Sequence, residues 1–198
     1  NAKKIRKALQ RVQNEIQVPA DLRPWWDEYK SLHPAYALAM QEAWQVMVSA
    51  IDPVPASPYG KGHGGATLVE HSWNALRTLL ALEKWPVYKG TFNSKGELVV
   101  GMMDKSRKEY AFDRNDPMVP LCVFAHDIGK AVCAVRYWQK WDPELNYSNH
   151  DTRGKEVLRT LPSWRALQWD DFQRALICIG YYHHPLELPL VKWVDDRT

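Results

Sequence analysis

A histidine and an aspartate stand side by side at positions 126 and 127, at the end of an apolar run from Val119 to Ala125. Burying such a pair is expensive unless something partners both side chains. A divalent cation does this: the neutral imidazole offers a nitrogen lone pair and the carboxylate an oxygen. Gly129 lets the backbone turn or pack closely just beyond the pair, and Lys130 sets a cation where an anionic substrate oxygen could sit. The plainer alternative is a core histidine hydrogen-bonded to its neighbour. The chain has seven histidines. Five of them, His71, His126, His150, His183 and His184, fall on stretches with helical patterning, and an acidic pair, Asp195 and Asp196, follows. Metal sites are assembled from donors of this kind on separate elements.

Those elements are legible as mainly α. Ile5, Leu9, Val12 and Ile16 predict a helix over 3–17 with a basic face, and Asp21 is an N-cap candidate for a helix to residue 32. Pro34 opens a helix to about residue 51, with Ala37, Met40, Trp44, Met47, Val48 and Ile51 as its core stripe. Prolines and glycines make 52–65 a loop, and His63 lies in it, eight positions before His71. Thr67 and Glu70 form a capping box for a helix that carries His71 to about residue 84.

Residues 86–113 change character and read as a small inserted antiparallel β-meander, with short strands near 87–88, 97–100 and 109–112. Pro117 opens the helix that carries His126 and Asp127, and a further helix runs from Lys130 to about residue 140. Ser148 or Asn149 caps a helix containing His150, which Pro162 ends. Asp170 or Asp171 starts another, with Phe172, Leu176, Ile177 and Ile179 inward; Pro185 stops it after His183 and His184. A last short helix after Pro189 carries Asp195 and Asp196.

At 198 residues, with 45% hydrophobic and 25% charged residues, the chain fits one globular unit: N-terminal helices over 1–52 packed on a domain over 53–198. No apolar run nears the roughly 18 residues needed to span a bilayer, so a cytoplasmic setting is expected. The first residue is Asn, which reads as a processed or excised chain. The net charge of +3 permits an anionic partner without requiring one. Cys122, Cys133 and Cys178 form no CxxC pair and read as buried free thiols of a reducing compartment. The ten tryptophans are expected to fill the core and line grooves.

With those residues laid out, the chain resembles the HD superfamily of metal-dependent phosphohydrolases. His126-Asp127-Ile128-Gly129-Lys130 matches its central motif, and His71 its first histidine. His150 followed by Gly154-Lys155-Glu156-Val157-Leu158, and Tyr182-His183-His184, are similar to motifs of the two-metal members. The resemblance runs from about Ser57 to the end, interrupted by the β-insert. A narrower resemblance, through Pro55-Ala56-Ser57-Pro58, His63-Gly64-Gly65 and Glu70-His71-Ser72, is to the HD domain of TraI-type (H-type mobilisation) conjugative relaxases. Where those proteins show adjacent histidines, Lys61-Gly62-His63 stands here.

The resemblance implies a helical bundle around two divalent ions, iron or manganese favoured, with zinc, magnesium and nickel also suited. His71, His126, Asp127 and a late aspartate (Asp195, or Asp196, or a residue past 198) would hold the first ion. Asp127 would bridge to a second, held by His150, His183 and His184. Two ions make a strong nucleophile of water and clamp the charge that builds on a phosphoryl group. Lys130 could bind a phosphate oxygen, and His63 or His184 could orient the substrate or protonate the leaving oxygen. The reaction expected is phosphodiester hydrolysis, on single-stranded DNA in conjugative transfer alongside type IV secretion partners. A nucleotide or cyclic dinucleotide substrate is the rival within the class, and a non-catalytic HD-fold scaffold the rival outside it.

Overall fold

A computed structural model describes residues 15–49, 54–57, 63–81, 88–92, 94, 98–102, 115–138 and 147–181, and they are mainly helical. The helices are α1 (Arg23–Leu32), α2 (Pro34–Val48), α3 (Leu68–Leu80), α4 (Met118–Ala125), α5 (Ile128–Trp138), α6 (His150–Thr160), α7 (Pro162–Arg165) and α8 (Trp169–Tyr181). Between α3 and α4, β1 (Tyr88–Phe92) pairs antiparallel with β2 (Leu98–Met102), Tyr88 opposite Met102 and Phe92 opposite Leu98. A three-stranded meander is not supported: the third stretch, 109–112, lies outside the described residues.

Helix α4 is the hub. It carries no charged residue, and every side chain except Val119 is buried. A helix apolar all round must be covered on all sides, and α2, α3 and α8 pack against it. Its start is pinned twice. The Met118 amide donates to Asp116 Oδ1 at 2.9 Å, and the Tyr29 hydroxyl of α1 donates to the Pro117 carbonyl at 2.7 Å. Leu121, Phe124 and Ala125 of α4, Leu76 of α3, Leu158 of α6, Trp164 of α7 and Ile179 of α8 form one continuous core. Trp164 satisfies its indole by donating to the Ala39 carbonyl at 2.9 Å.

Several boundaries differ from expectation. The expected N-terminal helix lies largely outside the described residues, and 15–19 are not helical, although Ile16 is buried. Pro19 biases the residue before it towards extended backbone. Asp21 does not cap α1; its carboxylate takes the guanidinium of Arg77 instead. Helix α2 stops at Val48, which is exposed. Asn149 holds the cap position of α6 in a left-handed conformation, φ 60°, without a side-chain cap bond. On α8 the inward residue next to Leu176 is Cys178, while Ile177 is 51% exposed. Trp26, Trp44, Trp73 and Trp164 are buried as expected, but Trp169 is 71% exposed. All three cysteines are free and buried. Among the described residues no helix is long and apolar enough to cross a membrane.

Candidate metal centre

Three local devices deliver the expected side chains to one place. The first is the start of α3. Thr67 Oγ1 accepts from the Glu70 amide at 3.3 Å, and Glu70 Oε2 accepts from the Thr67 amide at 2.8 Å. The capping box expected from sequence is therefore present. A short strap presses on the same turn: Leu68 N donates to the Val54 carbonyl at 2.7 Å and Ala56 N to the Ala66 carbonyl at 3.0 Å. These contacts fix the first turn of α3 and, one residue on, His71.

The second device is the junction of α4 and α5. His126 and Asp127 are the two residues between these helices, so the pair sits at a break and not within one continuous helix. The third is the crossing of α5 and α6. Gly129 has no side chain to hold the helices apart, and the chain at His150 and Gly154 lies directly against it. His150, the first residue of α6, is thereby brought to Asp127.

The geometry is tight. His71 Nε2 and His126 Nε2 are 3.1 Å apart, and Asp127 Oδ2 lies 3.3 Å from the first and 3.4 Å from the second. His150 Nε2 faces the other oxygen, Asp127 Oδ1, at 3.1 Å. His71, His126 and Asp127 are essentially inaccessible to solvent. Backbone carbonyls three residues upstream orient two of the rings: His126 Nδ1 donates to the Val123 oxygen at 2.7 Å, and His150 Nδ1 donates to the Tyr147 oxygen at 2.6 Å. A carbonyl can only accept, so in each neutral ring the proton is on Nδ1 and the lone pair is on Nε2. Both lone pairs then point at a carboxylate.

That carboxylate is ionised. Burial pushes Asp127 up, but His126, the Lys130 ammonium and the contact from His150 pull harder and hold it well below the usual carboxylate range. The His126 lone pair and the Asp127 carboxylate thus meet His71 Nε2 at one buried point, where a cation could be held. Atoms bound about 2.1 Å from a common ion stand about 3.0 Å apart at a right angle and about 3.4 Å apart at the tetrahedral angle. The three edges of the His71–His126–Asp127 triangle fall in or beside that interval. The donor set therefore fits a divalent ion, and these three buried residues could hold one.

Lys130 is also at the cluster. Its ammonium donates to Asp127 Oδ2 at 2.5 Å and to the Ala56 carbonyl at 2.9 Å, and lies 5.6 Å from the centre of the Tyr147 ring. It is 8% exposed, so in this arrangement it serves Asp127 and the strap. His63 packs its ring on that of His71, centroids 4.0 Å apart, at the outer edge of the cluster. His63, Gly64 and Gly65 all have positive φ, 46°, 60° and 79°, and make a left-handed turn. His71, His126, Asp127, His150, Lys130 and His63 are thus gathered. His183, His184, Asp195 and Asp196 lie outside the described residues.

Tyr147 is the participant that sequence reasoning missed. Its carbonyl aims His150, its ring stands over Lys130, and its hydroxyl donates to the Pro55 carbonyl at 2.7 Å. Its position three residues before His150 repeats the offset of Val123 from His126, but a backbone carbonyl leaves no mark in the sequence. No family model, no curated protein and no solved structure matches the chain.

Proposed function

We propose that the chain is a metal-dependent phosphohydrolase of the HD type, acting on a phosphodiester. The observation that carries this reading is the buried His71–His126–Asp127 triangle, with the His126 lone pair turned towards Asp127. His71, His126 and Asp127 Oδ2 would hold one ion, with Asp195 or Asp196 as the further ligand. Asp127 Oδ1 and His150 would hold a second, with His183 and His184. Such ions, iron or manganese favoured, would supply activated water and neutralise charge on the phosphoryl group. The chain's own residues do the rest. Val123 and Tyr147 hold the imidazoles in register. Lys130 balances Asp127. His63, half-buried beside His71, would orient the substrate or protonate the leaving oxygen.

A relaxase-like action on DNA in a cytoplasmic transfer machine is the preferred context. It rests on Pro55-Ala56-Ser57, His63-Gly64-Gly65 and Glu70-His71. A nucleotide or cyclic dinucleotide remains the alternative substrate.

One observation favours a second reading, a non-catalytic module. Lys130 already supplies a buried cation to Asp127 Oδ2, so the cluster could stand as a structural ion pair bordered by histidines. Elemental analysis of protein purified without chelator and under anaerobic conditions, followed by turnover of bis(4-nitrophenyl) phosphate, separates the two. The hydrolase reading expects bound iron or manganese and turnover that chelator abolishes and metal restores. Folded protein with neither metal nor turnover overturns it.

A further inference from the structure

Two carbonyls aim the imidazoles of His126 and His150, and they are held by different means. Val123 belongs to α4, so the helix itself fixes the oxygen that receives His126 Nδ1. Tyr147 lies ahead of α6, outside any helix, and Asn149, between it and His150, turns left-handed at φ 60°. Its carbonyl nevertheless takes two donors from His150, the amide at 3.1 Å and ring Nδ1 at 2.6 Å. Backbone outside regular structure is the more mobile part of a fold. This oxygen therefore keeps its direction only if its residue is anchored elsewhere.

The anchor is the Tyr147 side chain. Its hydroxyl donates to the Pro55 carbonyl at 2.7 Å, and its ring stands over Lys130. Pro55 is itself a fixed point. Val54 before it accepts from the Leu68 amide, Ala56 after it donates to the Ala66 carbonyl, and both are buried. The Ala56 carbonyl also takes the Lys130 ammonium at 2.9 Å.

These contacts close a ring on Asp127. From Oδ2 the ring passes through Lys130 to Ala56 and Pro55, crosses the Tyr147 hydroxyl to the Tyr147 carbonyl, and returns through His150 to Oδ1. Removing one atom, the Tyr147 hydroxyl oxygen, opens it without disturbing either carboxylate contact directly.

We infer that Tyr147 is a positioning residue: its hydroxyl, fastened to the strap, holds the His150 imidazole on Asp127 Oδ1 and so sets the second ion site independently of the first. The orientation of His150 stands on the ring of contacts alone, and the ion rests on the hydrolase reading. Hydrogen bonds that fix a ligating imidazole change metal affinity by about tenfold to a hundredfold.

Tyr147→Phe removes the hydroxyl and keeps the aromatic ring. Tyr29→Phe is the matched control, because that hydroxyl also donates to a proline carbonyl at 2.7 Å, Pro117, at the opposite end of α4 from His126. Full-length chains carrying ¹⁵N-histidine are first compared in chelator. In wild type and Tyr29→Phe, His150 should be one tautomer with its proton on Nδ1, and in Tyr147→Phe it should exchange between two. His126 should stay on the Nδ1 tautomer in all three. The same chains are then titrated anaerobically with manganese in a calorimeter. Tyr147→Phe should weaken the second ion about tenfold and leave the first within about twofold, while Tyr29→Phe should change neither.

An unchanged His150 tautomer in Tyr147→Phe overturns the positioning role. So does a second ion bound as tightly as in wild type, an equal weakening of both ions, or a matching effect of Tyr29→Phe. Wild type that binds no second manganese ion defeats the two-ion hydrolase reading instead, and the His150 tautomer in chelator then decides the role of Tyr147 by itself.

Discussion

Gly129 lies against the backbone of His150: a Cβ at position 129 would stand 1.8 Å from the His150 carbonyl oxygen and 2.6 Å from the Gly154 nitrogen. Both obstacles are main chain, so α6 itself would have to move. His150 would move with it, away from Asp127 Oδ1. Gly129→Ala is expected to cost about 3 kcal/mol or more, the top of the usual range for overpacking. Gly180 on α8 is the control. There the nearest atoms to a Cβ belong to the flexible stem of Lys155, and alanine raises helix propensity by about 1 kcal/mol. Gly180→Ala should be neutral or stabilising in urea denaturation. Equal effects at the two positions would refute the close crossing of α5 and α6.

Lys130 offers a way to ask whether an ion reaches Asp127. Removing one partner of a buried ion pair costs about 3–5 kcal/mol, because the remaining charge is stranded. Lys130→Met should therefore destabilise the chelated protein by an amount of that order, since Asp127 is inaccessible to solvent and loses its 2.5 Å contact. In excess manganese the loss should shrink, because an ion held by His71, His126 and Asp127 supplies the missing positive charge. Denaturation midpoints with and without manganese provide the measurement. An identical loss in both conditions would mean that no ion sits at Oδ2.

The capping box predicts a pH dependence. Glu70 has a lowered pKa in the folded chain, first because the Thr67 amide donates to it and second because the Thr67 hydroxyl does. A carboxyl depressed on folding stabilises above its unfolded pKa of about 4.3, and that contribution fades as pH falls through the lower folded value. Melting temperature should therefore drop in the acid range more steeply for wild type than for Glu70→Gln. Thr67→Ala should cost about 1 kcal/mol at neutral pH. Parallel acid profiles for wild type and Glu70→Gln would rule out the box as a source of acid sensitivity.

What the sequence made legible were features whose cause is local. The Thr67–Glu70 box, Pro34 at the start of α2 and Pro162 at the end of α6 each act within a few residues, and each stands where it was expected. The gathering of His71, His126, Asp127 and His150 was expected from the resemblance that their motifs carry. Contacts whose cause is distant were not. Asp21 carries every mark of a cap, yet a guanidinium 56 positions away takes it. Ile177 matches its neighbours in hydropathy but falls on the outer side of α8. Backbone carbonyls carry no sequence signature, so the roles of Val123 and Tyr147 in turning His126 and His150 emerged only from coordinates.

His126 is where fold and chemistry are joined most closely. Its ring is 1% exposed, is anchored through Nδ1 to Val123, and presents Nε2 to both His71 and Asp127. His126→Ala would leave a cavity at the α4–α5 junction and remove one corner of the donor triangle. Removal of a buried, hydrogen-bonded ring is expected to cost on the order of 3 kcal/mol. Metal content per folded chain should fall to background. Elemental analysis of the monodisperse fraction keeps the two effects apart, since unfolded material is discarded before the metal is counted. If that fraction carried as much iron or manganese as wild type, His126 would not be a ligand, and the inward convergence of Nε2 lone pairs would need a proton rather than a metal to explain it.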